Sequence, residues 1–294
     1  MNTQSQAYLY GLAAVLCWST VATAFKLSLA YLTPAQLLLC ASTTSWLLLG
    51  GTLWWQGKLK LLALFGQKEV SFSLIMGLIN PFLYYLVLFK AYDLLPAQEA
   101  QALNYTWALT MSLLAIPLLK QRLKASELAA SLICYAGVLV IATRGNVGSL
   151  DFVNGMGVGL ALLSTLLWSF YWILNTRDQR EPVAGLFLNF SIAIPFIVLY
   201  CAFTGELTHL PFEGIAGAVY IGVFEMGLSF ILWLKAMKLT SSTAKISNLI
   251  FISPFISLVL IALILKEEIL ASTLTGLVLI LFGLAIHKID KINT

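Results

Sequence analysis

Glu225 stands inside IGVFEMGLSF (Ile221 to Phe230), near the middle of a long apolar run. A carboxylate at the centre of a bilayer costs roughly 2.5 to 3.5 kcal/mol even on lenient insertion scales, so it is expected to face a cavity or a partner. Its chemistry there is to hold an ammonium group or to exchange a proton, since burial disfavours its charged form and a nearby cation favours it. The plainer alternative is a protonated Glu225 hydrogen-bonded to Ser229, one turn on. Asn80, followed by Pro81, lies at the equivalent depth of an earlier run. The proline removes a backbone donor and releases the carbonyl of Gly77, which leaves a kinked polar spot. Lys245 is basic and also lies within a run. It either snorkels to the aqueous surface or points toward Glu225 on a face shared with Asn248 and Ile252; depth is legible here and rotation is not. Glu99 occupies the first turn of another run, where a carboxylate meets the positive end of the helix dipole.

Aromatic side chains supply the walls such a site needs. Trp168, Tyr171, Trp172 and Asn175 recur at i, i+3, i+4, i+7, one face of a helix. Trp18 and Phe25 are seven residues apart, Tyr84 lies one turn beyond Asn80, and Asn104 and Trp107 share a face. Pockets for small organic molecules are mostly apolar and aromatic with a few placed polar groups. Each of these residues taken singly also fits ordinary packing.

The elements that must position them are read from composition. Of 294 residues, 60% are hydrophobic and 10% charged, against roughly 45–50% and about 25% in soluble domains. Apolar runs cover residues 7–25, 34–55, 70–89, 97–119, 127–143, 155–174, 183–203, 214–234, 242–265 and 271–286. Each is close to the length of about 20 residues that carries a helix through a bilayer core of roughly 30 Å. The chain is therefore expected to be an all-α integral membrane protein with ten transmembrane helices, here numbered as spans 1 to 10. Ala22-Thr23-Ala24 imitates a signal cleavage site, but no lysine or arginine precedes the first run, so span 1 is expected to be retained. Trp54 and Trp55 at the end of span 2 read as interfacial anchors.

Twelve of the seventeen basic residues fall in segments on one side if both termini are cytoplasmic: Lys58, Lys60, Lys68, Lys120, Arg122, Lys124, Arg177, Arg180, Lys235, Lys238, Lys288 and Lys291. Lys26, Lys90, Arg144 and Lys266 fall on the other side. This asymmetry predicts cytoplasmic N- and C-termini in a cell (inner) membrane. The charge of +4 is thus a topology signal, and no basic tract points to nucleic acid. Cys17, Cys40, Cys134 and Cys201 lie within runs without metal-ligand or CxxC spacing. No metal or cofactor is expected.

An internal repeat organises the spans. GLINPFLYYLVLFKAYDLLPAQEAQALNYTW from Gly77 aligns with GVFEMGLSFILWLKAMKLTSSTAKISNLIFI from Gly222, placing LFKAYDL over LWLKAMKL. Trp18-Ser19 pairs with Trp168-Ser169 and Ala136-Gly137 with Phe282-Gly283. Residues 1–146 and 147–294 are read as two five-helix repeats forming one membrane domain. Because five is odd, the second enters the membrane from the opposite side. Inverted repeats suit a transporter, since the halves can exchange conformations and open to either side. A duplicated scaffold without transport is the plainer alternative.

AVLCWSTVATAFK, LFKAYDLLPAQEAQALNY, LWLKAMKLTSSTAKISNLIFISPFISLVL, LKEEILASTLTG and LILFGLAIH resemble the paired EamA repeats of the drug/metabolite transporter superfamily over nearly the whole chain. Asn104-Tyr105-Thr106-Trp107 and Trp18-Ser19-Thr20 are similar to the aromatic amino-acid exporter branch. The resemblance implies a ten-helix exporter of small metabolites, with a cavity formed by spans 1, 3, 4, 6, 8 and 9. Spans 5 and 10 would support the fold or a homodimer. An arginine common in span 2 is missing around Cys40 and Ala41. A proline expected near Ala108 is absent, although its counterpart Pro254 remains. Ala129, Gly137, Gly276 and Gly283 would allow close helix approach, within one chain or between two.

His209 and His287 come with no nucleophile, phosphate loop or metal-ligand spacing. An integral membrane enzyme using Glu225 as acid or base is the alternative class, and it lacks a second catalytic group. The expected function is secondary transport of a small metabolite. The topology is testable directly. Single cysteines at Lys60 and Lys124 should be shielded from an impermeant thiol reagent in intact cells, while one at His209 should be labelled; the reverse pattern would invert the orientation.

Overall fold

A computed structural model of the chain describes residues 3–119, 125–148, 154–175, 177–207, 210–240, 246 and 248–292, and every regular element among them is helical. Six helices are long and apolar enough to cross a membrane: Thr3–Leu29, Pro34–Trp55, Gln67–Leu94, Gly155–Asn175, Pro182–Phe203 and Phe212–Leu239. Shorter apolar helices cover Ser131–Ala142, Ser253–Leu265 and Ala271–Ile286, and span 4 is divided into Ala97–Asn104 and Trp107–Leu119. The described helices thus occupy the ten predicted runs. Large side chains stand out to the exterior, with Leu47 61% and Val278 56% exposed. Such a surface needs acyl chains around it rather than water. Trp54 and Trp55 are 72% and 83% exposed at the end of span 2, as interfacial anchors would be.

In chain order the helices are α1 (Thr3–Leu29), α2 (Pro34–Trp55), α3 (Gln67–Gly77), α4 (Tyr84–Leu94), α5 (Ala97–Asn104), α6 (Trp107–Leu119) and α7 (Ala125–Ala142). They continue as α8 (Gly155–Asn175), α9 (Pro182–Phe203), α10 (Phe212–Phe224), α11 (Leu228–Leu239), α12 (Ser253–Leu260) and α13 (Ala271–Ile292). Helix α1 runs unbroken through Ala22-Thr23-Ala24. Contacts divide the chain into two compact units, residues 1–89 with 178–265 and residues 90–177 with 266–294. Each unit draws on both sequence repeats.

In the first unit α1 packs on α10, α11 and α12, while α2 packs on α9 and α10. The starts of α2 and α9 follow from their sequences. Thr33 and Gln36 form a reciprocal cap with Pro34 at the first helical position. Glu181 caps α9 by accepting from the Ala184 N–H at 2.8 Å, with Pro182 beside it. Proline is suited to that position because its missing N–H would have no partner in the first turn. The same carboxylate accepts from Lys58 Nζ at 2.8 Å, tying the end of α2 to the start of α9. At their other ends Thr33 donates to the Glu206 carboxylate, and Gln36 Nε2 donates to the Glu206 carbonyl at 3.0 Å. Between these ties the Trp46 ring stacks on Phe187 at 5.5 Å and donates to Ser191 Oγ at 2.8 Å.

Arg180 anchors α3 to α9 in the same unit. Its guanidinium is bidentate to Asp178, donates to Ser73 Oγ, and lies over the Phe72 ring at 5.3 Å. Ser73 donates to Asn189 Oδ1 at 2.6 Å. Sequence counting registers Arg180 only as one positive residue in a loop; the structure makes it a buried joint.

In the second unit α6 packs on α8 and α7 on α13. Thr110 and Thr165 hydroxyls meet at 3.0 Å, and Cys134 Sγ contacts the Ile280 carbonyl at 3.2 Å. Glu267, rather than Glu99, closes the start of α5, accepting from the Ala97 N–H at 3.0 Å. Glu99 lies in the first turn as expected, is buried, and pairs with Arg144 Nε at 2.8 Å. The small-residue faces of spans 5 and 10 meet each other within the chain, because a Cβ on Gly137 or Gly276 would run into the backbone carbonyl of the other. Gly137→Val should therefore cost about 1–3 kcal/mol through overpacking, read as a lowered thermal midpoint in detergent. Gly51→Ala, where a Cβ meets nothing within 4 Å, should leave the midpoint level or raise it. Equal behaviour of the two variants would contradict the packing.

Candidate functional site

Spans 3 and 8 occupy equivalent positions in the two repeats, and each breaks at the residue singled out by its polarity. In span 3, Asn80 adopts φ −143°, ψ 117° between α3 and α4. A residue before proline is pushed out of the helical region by the ring, so Asn80-Pro81 dictates the break. The Tyr84 N–H then reaches back to the Ile79 carbonyl, five residues away. The widened turn admits an extra residue, and one residue is about 100° of rotation around a helix. Tyr85, not Tyr84, thereby comes to Glu225: its hydroxyl donates to Oε1 at 3.1 Å. Helical spacing from Asn80 selects Tyr84 and misses Tyr85, because the spacing rule assumes an unbroken turn. Tyr84 is buried beside it, ring to ring at 4.7 Å.

In span 8, α10 stops at Phe224 and α11 resumes at Leu228, with Glu225, Met226 and Gly227 forming the turn. The carbonyls released there find donors. Ser229 Oγ donates to the Glu225 backbone carbonyl at 2.6 Å, and Ser45 Oγ of α2 donates to the Met226 carbonyl at 3.0 Å. Ser229 thus serves the backbone and leaves the carboxylate alone, unlike the plainer reading from sequence. Ser45 has no sequence signal beyond a small polar residue in an apolar run. Glu225 is 8% exposed, and its Oε2 has no hydrogen-bond partner among the described residues. The same is true of Asn80 Oδ1, in a side chain 2% exposed. None of the ion pairs among the described residues includes Glu225. A buried carboxylate with one oxygen unengaged must stay protonated or receive a donor from elsewhere, since an uncompensated buried charge costs several kcal/mol. The arrangement therefore leaves one carboxylate oxygen able to accept a further hydrogen bond.

Rings enclose this side of the first unit. Tyr85 lies 5.4 Å from Phe89, which meets Phe25 at 5.0 Å. Trp18 packs edge-on to Phe230 at 6.3 Å and against Trp233 at 5.2 Å. Trp18 and Phe25, seven residues apart on α1, thus each pack against rings of other helices.

In the second unit, Trp168 stacks on Tyr171 at 5.8 Å and meets Trp172 at 5.7 Å, as the helical spacing anticipates. Span 4 also breaks, α5 ending at Asn104 and α6 starting at Trp107. Asn104 Nδ2 donates to Ser164 Oγ at 2.9 Å, and Ser169 Oγ donates to the Trp107 carbonyl at 2.9 Å. Both residues therefore fasten α8 to the broken span. The corresponding stretch of span 9 is a 3-10 turn, Asn248–Ile252. Lys245 and the Asn248 side chain lie outside the described residues, as does His209.

Comparison with known proteins places the chain. The model of the EamA-like transporter family matches twice, over residues 5–143 and 155–287. An uncharacterized transporter of Clostridium kluyveri is 27% identical over 63% of this chain and 65% of its own length, just under two thirds of that relative. A protein of Ancylobacter novellus named aromatic amino acid exporter YddG is 29% identical over 80% of this chain and 81% of its own. A chain of known crystal structure superposes with a TM-score of 0.67 over 96% of both chains at 22% identity, a likeness of fold alone. With two copies of one family model filling most of a multi-pass helical membrane protein, the chain belongs to the EamA-like transporter family of the drug/metabolite transporter superfamily.

Proposed function

We propose that the protein exports a small amine-bearing metabolite, an amino acid or a related compound, by alternating access between its two repeats. Glu225 binds the substrate ammonium group when the site faces the cytoplasm and takes a proton from outside after release, so that the inward proton gradient drives export. The observation that carries this reading is the Glu225 carboxylate on a helix break, buried, held by Tyr85 through Oε1 and with Oε2 unengaged. Broken helices at mid-membrane are where inverted-repeat transporters hold substrate and coupling ions. Asn80, on the matching break, is the second polar contact. Trp18 and Tyr84 supply the aromatic lining of the first unit, with Ser229 holding the break, and Trp168, Tyr171, Asn104 and Trp107 are the candidate substrate contacts of the second unit. On the reading in which Lys245 faces the cavity rather than the aqueous surface, it holds the substrate carboxylate, with Asn248 on the same helix face. The relative named as an aromatic amino-acid exporter favours a substrate with an aromatic side chain. Transport rather than catalysis is further supported by the transporter names of the relatives.

The proposal includes an inner-membrane location with both termini in the cytoplasm, supported by the distribution of basic residues. It also includes a homodimer through spans 5 and 10. Their glycines are already covered within the chain, so a second copy would cover the outward face carrying Leu132, Val278 and Phe282.

Two variants divide the roles in proteoliposomes loaded with labelled phenylalanine, tyrosine or tryptophan. Glu225→Gln keeps size and removes titration; transport driven by a pH gradient should fall to background while the protein remains folded and inserted. Gradient-driven transport retained in this variant would reduce the carboxylate to a structural group. Tyr85→Phe removes one hydrogen bond to a carboxylate, an interaction worth about 1.5–3 kcal/mol. Its transport should fall by roughly tenfold or more yet still respond to the gradient, as expected for a residue that positions Glu225. An unchanged rate would exclude that role.

A further inference from the structure

Away from Glu225, the first unit holds a cleft of about 470 Å3 between α1, α10 and the end of span 9. It extends from Thr20 to Ser28 along α1, about 12 Å at the helical rise, and on to Tyr31 in the turn beyond. Glu213 lies at its rim, in the first turn of α10, and Leu27, Leu260 and Ile264 are among its apolar walls. Leu27 and Ile264 are also exposed on the outer surface, so the cleft opens among side chains that face acyl chains.

Of the five hydroxyls that line this cleft, on Thr20, Thr23, Ser28, Tyr31 and Tyr220, three have committed protons. Thr20 donates to the Cys17 carbonyl at 2.7 Å, and Ser28 donates to the Ala24 carbonyl at 2.7 Å. Thr20 and Tyr220 hydroxyls meet at 2.7 Å. Because the single Thr20 proton is directed to Cys17, Tyr220 donates in that contact. Tyr220 and Ser28 therefore offer lone pairs to the cleft, and the Glu213 carboxylate adds two acceptor oxygens with charge. Glu213 enters none of the ion pairs among the described residues. Thr23 Oγ1 also lines the cleft, in a side chain only 4% exposed, and has no hydrogen-bond partner among the described residues. A site rich in acceptors and bearing one negative charge is complementary to a cation with N–H donors and disfavours a head group of net negative charge, while the phosphate of a zwitterionic head group stays outside at the interface.

We propose that this cleft is a lipid site that takes the primary ammonium head group of an aminophospholipid, with Glu213 as its counter-charge and the acyl chains leaving past Leu27 and Ile264. A membrane lipid is the occupant because the cleft opens sideways among apolar side chains. A soluble amine would gain nothing from those walls. None of the residues lining the cleft is among those proposed to hold the transported substrate.

The test uses the full-length protein purified in mild detergent. Lipid retention is measured by native mass spectrometry, with phosphatidylethanolamine, phosphatidylcholine and phosphatidylglycerol offered in equal amounts. Phosphatidylcholine carries the same charge without N–H donors, so phosphatidylethanolamine should be retained roughly tenfold over it, the scale of a lost charge-assisted hydrogen bond. Glu213→Gln should abolish that preference while its lipid-free thermal midpoint matches wild type, as expected for an exposed residue. Ala24→Phe, which fills the cleft, should lower retention of phosphatidylethanolamine to the level of the other lipids. Glu225→Gln should keep the preference. Equal retention of the three lipids by wild type would overturn the site, as would a preference for phosphatidylglycerol or one that survives Glu213→Gln. Displacement by free ethanolamine at concentrations equal to the lipid would overturn the lipid assignment.

Discussion

The requirement that every backbone N–H and C=O be satisfied inside a bilayer governs this protein more than any single side chain. An unbroken helix meets it by itself, and most of the described spans do so. Spans 3 and 8 do not. Each interrupts its hydrogen-bond ladder at the middle, and each interruption has a local cause, Pro81 in one and the Glu225-Met226-Gly227 turn in the other. The cost of the second break is offset by two serines, one on the same span and one on α2, which donate to the carbonyls it releases. Because those donors serve the backbone, the carboxylate is not consumed in repairing its own helix. A carboxylate on a break is thus open to exchange, whereas one in mid-helix would be confined to contacts across a helix face.

The charged groups that secure the first unit lie toward helix ends. Lys58 with Glu181 and Thr33 and Gln36 with Glu206 hold α2 and α9 at opposite ends, with Trp46 stacked between. Arg180 joins α3 to α9 through Asp178, Ser73 and two aromatic faces. Near the membrane surface the desolvation of such groups is smaller than at the centre, which lets them be strong joints. The division is one of labour: charge fixes helices at their ends, close packing fixes them along their length, and the middle is left to Glu225 and Asn80.

Span positions were legible from apolar run length because the bilayer imposes one length on every crossing. Span 2 begins and ends where expected, and α1, α4 and α11 run on past their apolar runs through Lys26, Lys90 and Lys235, the charged residues at which those runs end. Asn80 and Glu225 were legible because polarity at mid-span is costly. Tyr85 was not, since the turn that brings it to Glu225 departs from 3.6 residues per turn by an amount only the backbone reveals. Nor was the make-up of the two compact units, which join segments of both repeats. Order along the chain displays duplication, while contact depends on which faces are complementary. Gly137 and Gly276 illustrate the difference: each announces a close approach, and their mutual contact identifies the partner.

The buried acceptors of the first unit share a sign. Asn80 Oδ1 and Glu225 Oε2 are acceptors without donors among the described residues, while Arg180 and Lys58 have their donors committed to carboxylates. Hydroxyl groups adjust to either role, but a carboxylate and an amide oxygen do not unless protonated. This interior is therefore short of hydrogen-bond donors where it is deepest. Whatever completes it must bring protons on nitrogen or oxygen, and a positive charge raises the gain by offsetting the desolvation of the carboxylate. Aromatic faces nearby reinforce that preference, since the negative face of a ring also favours a cation. The deficit, more than the shape of the surrounding rings, sets what kind of group the break can accept, namely one that donates a hydrogen bond.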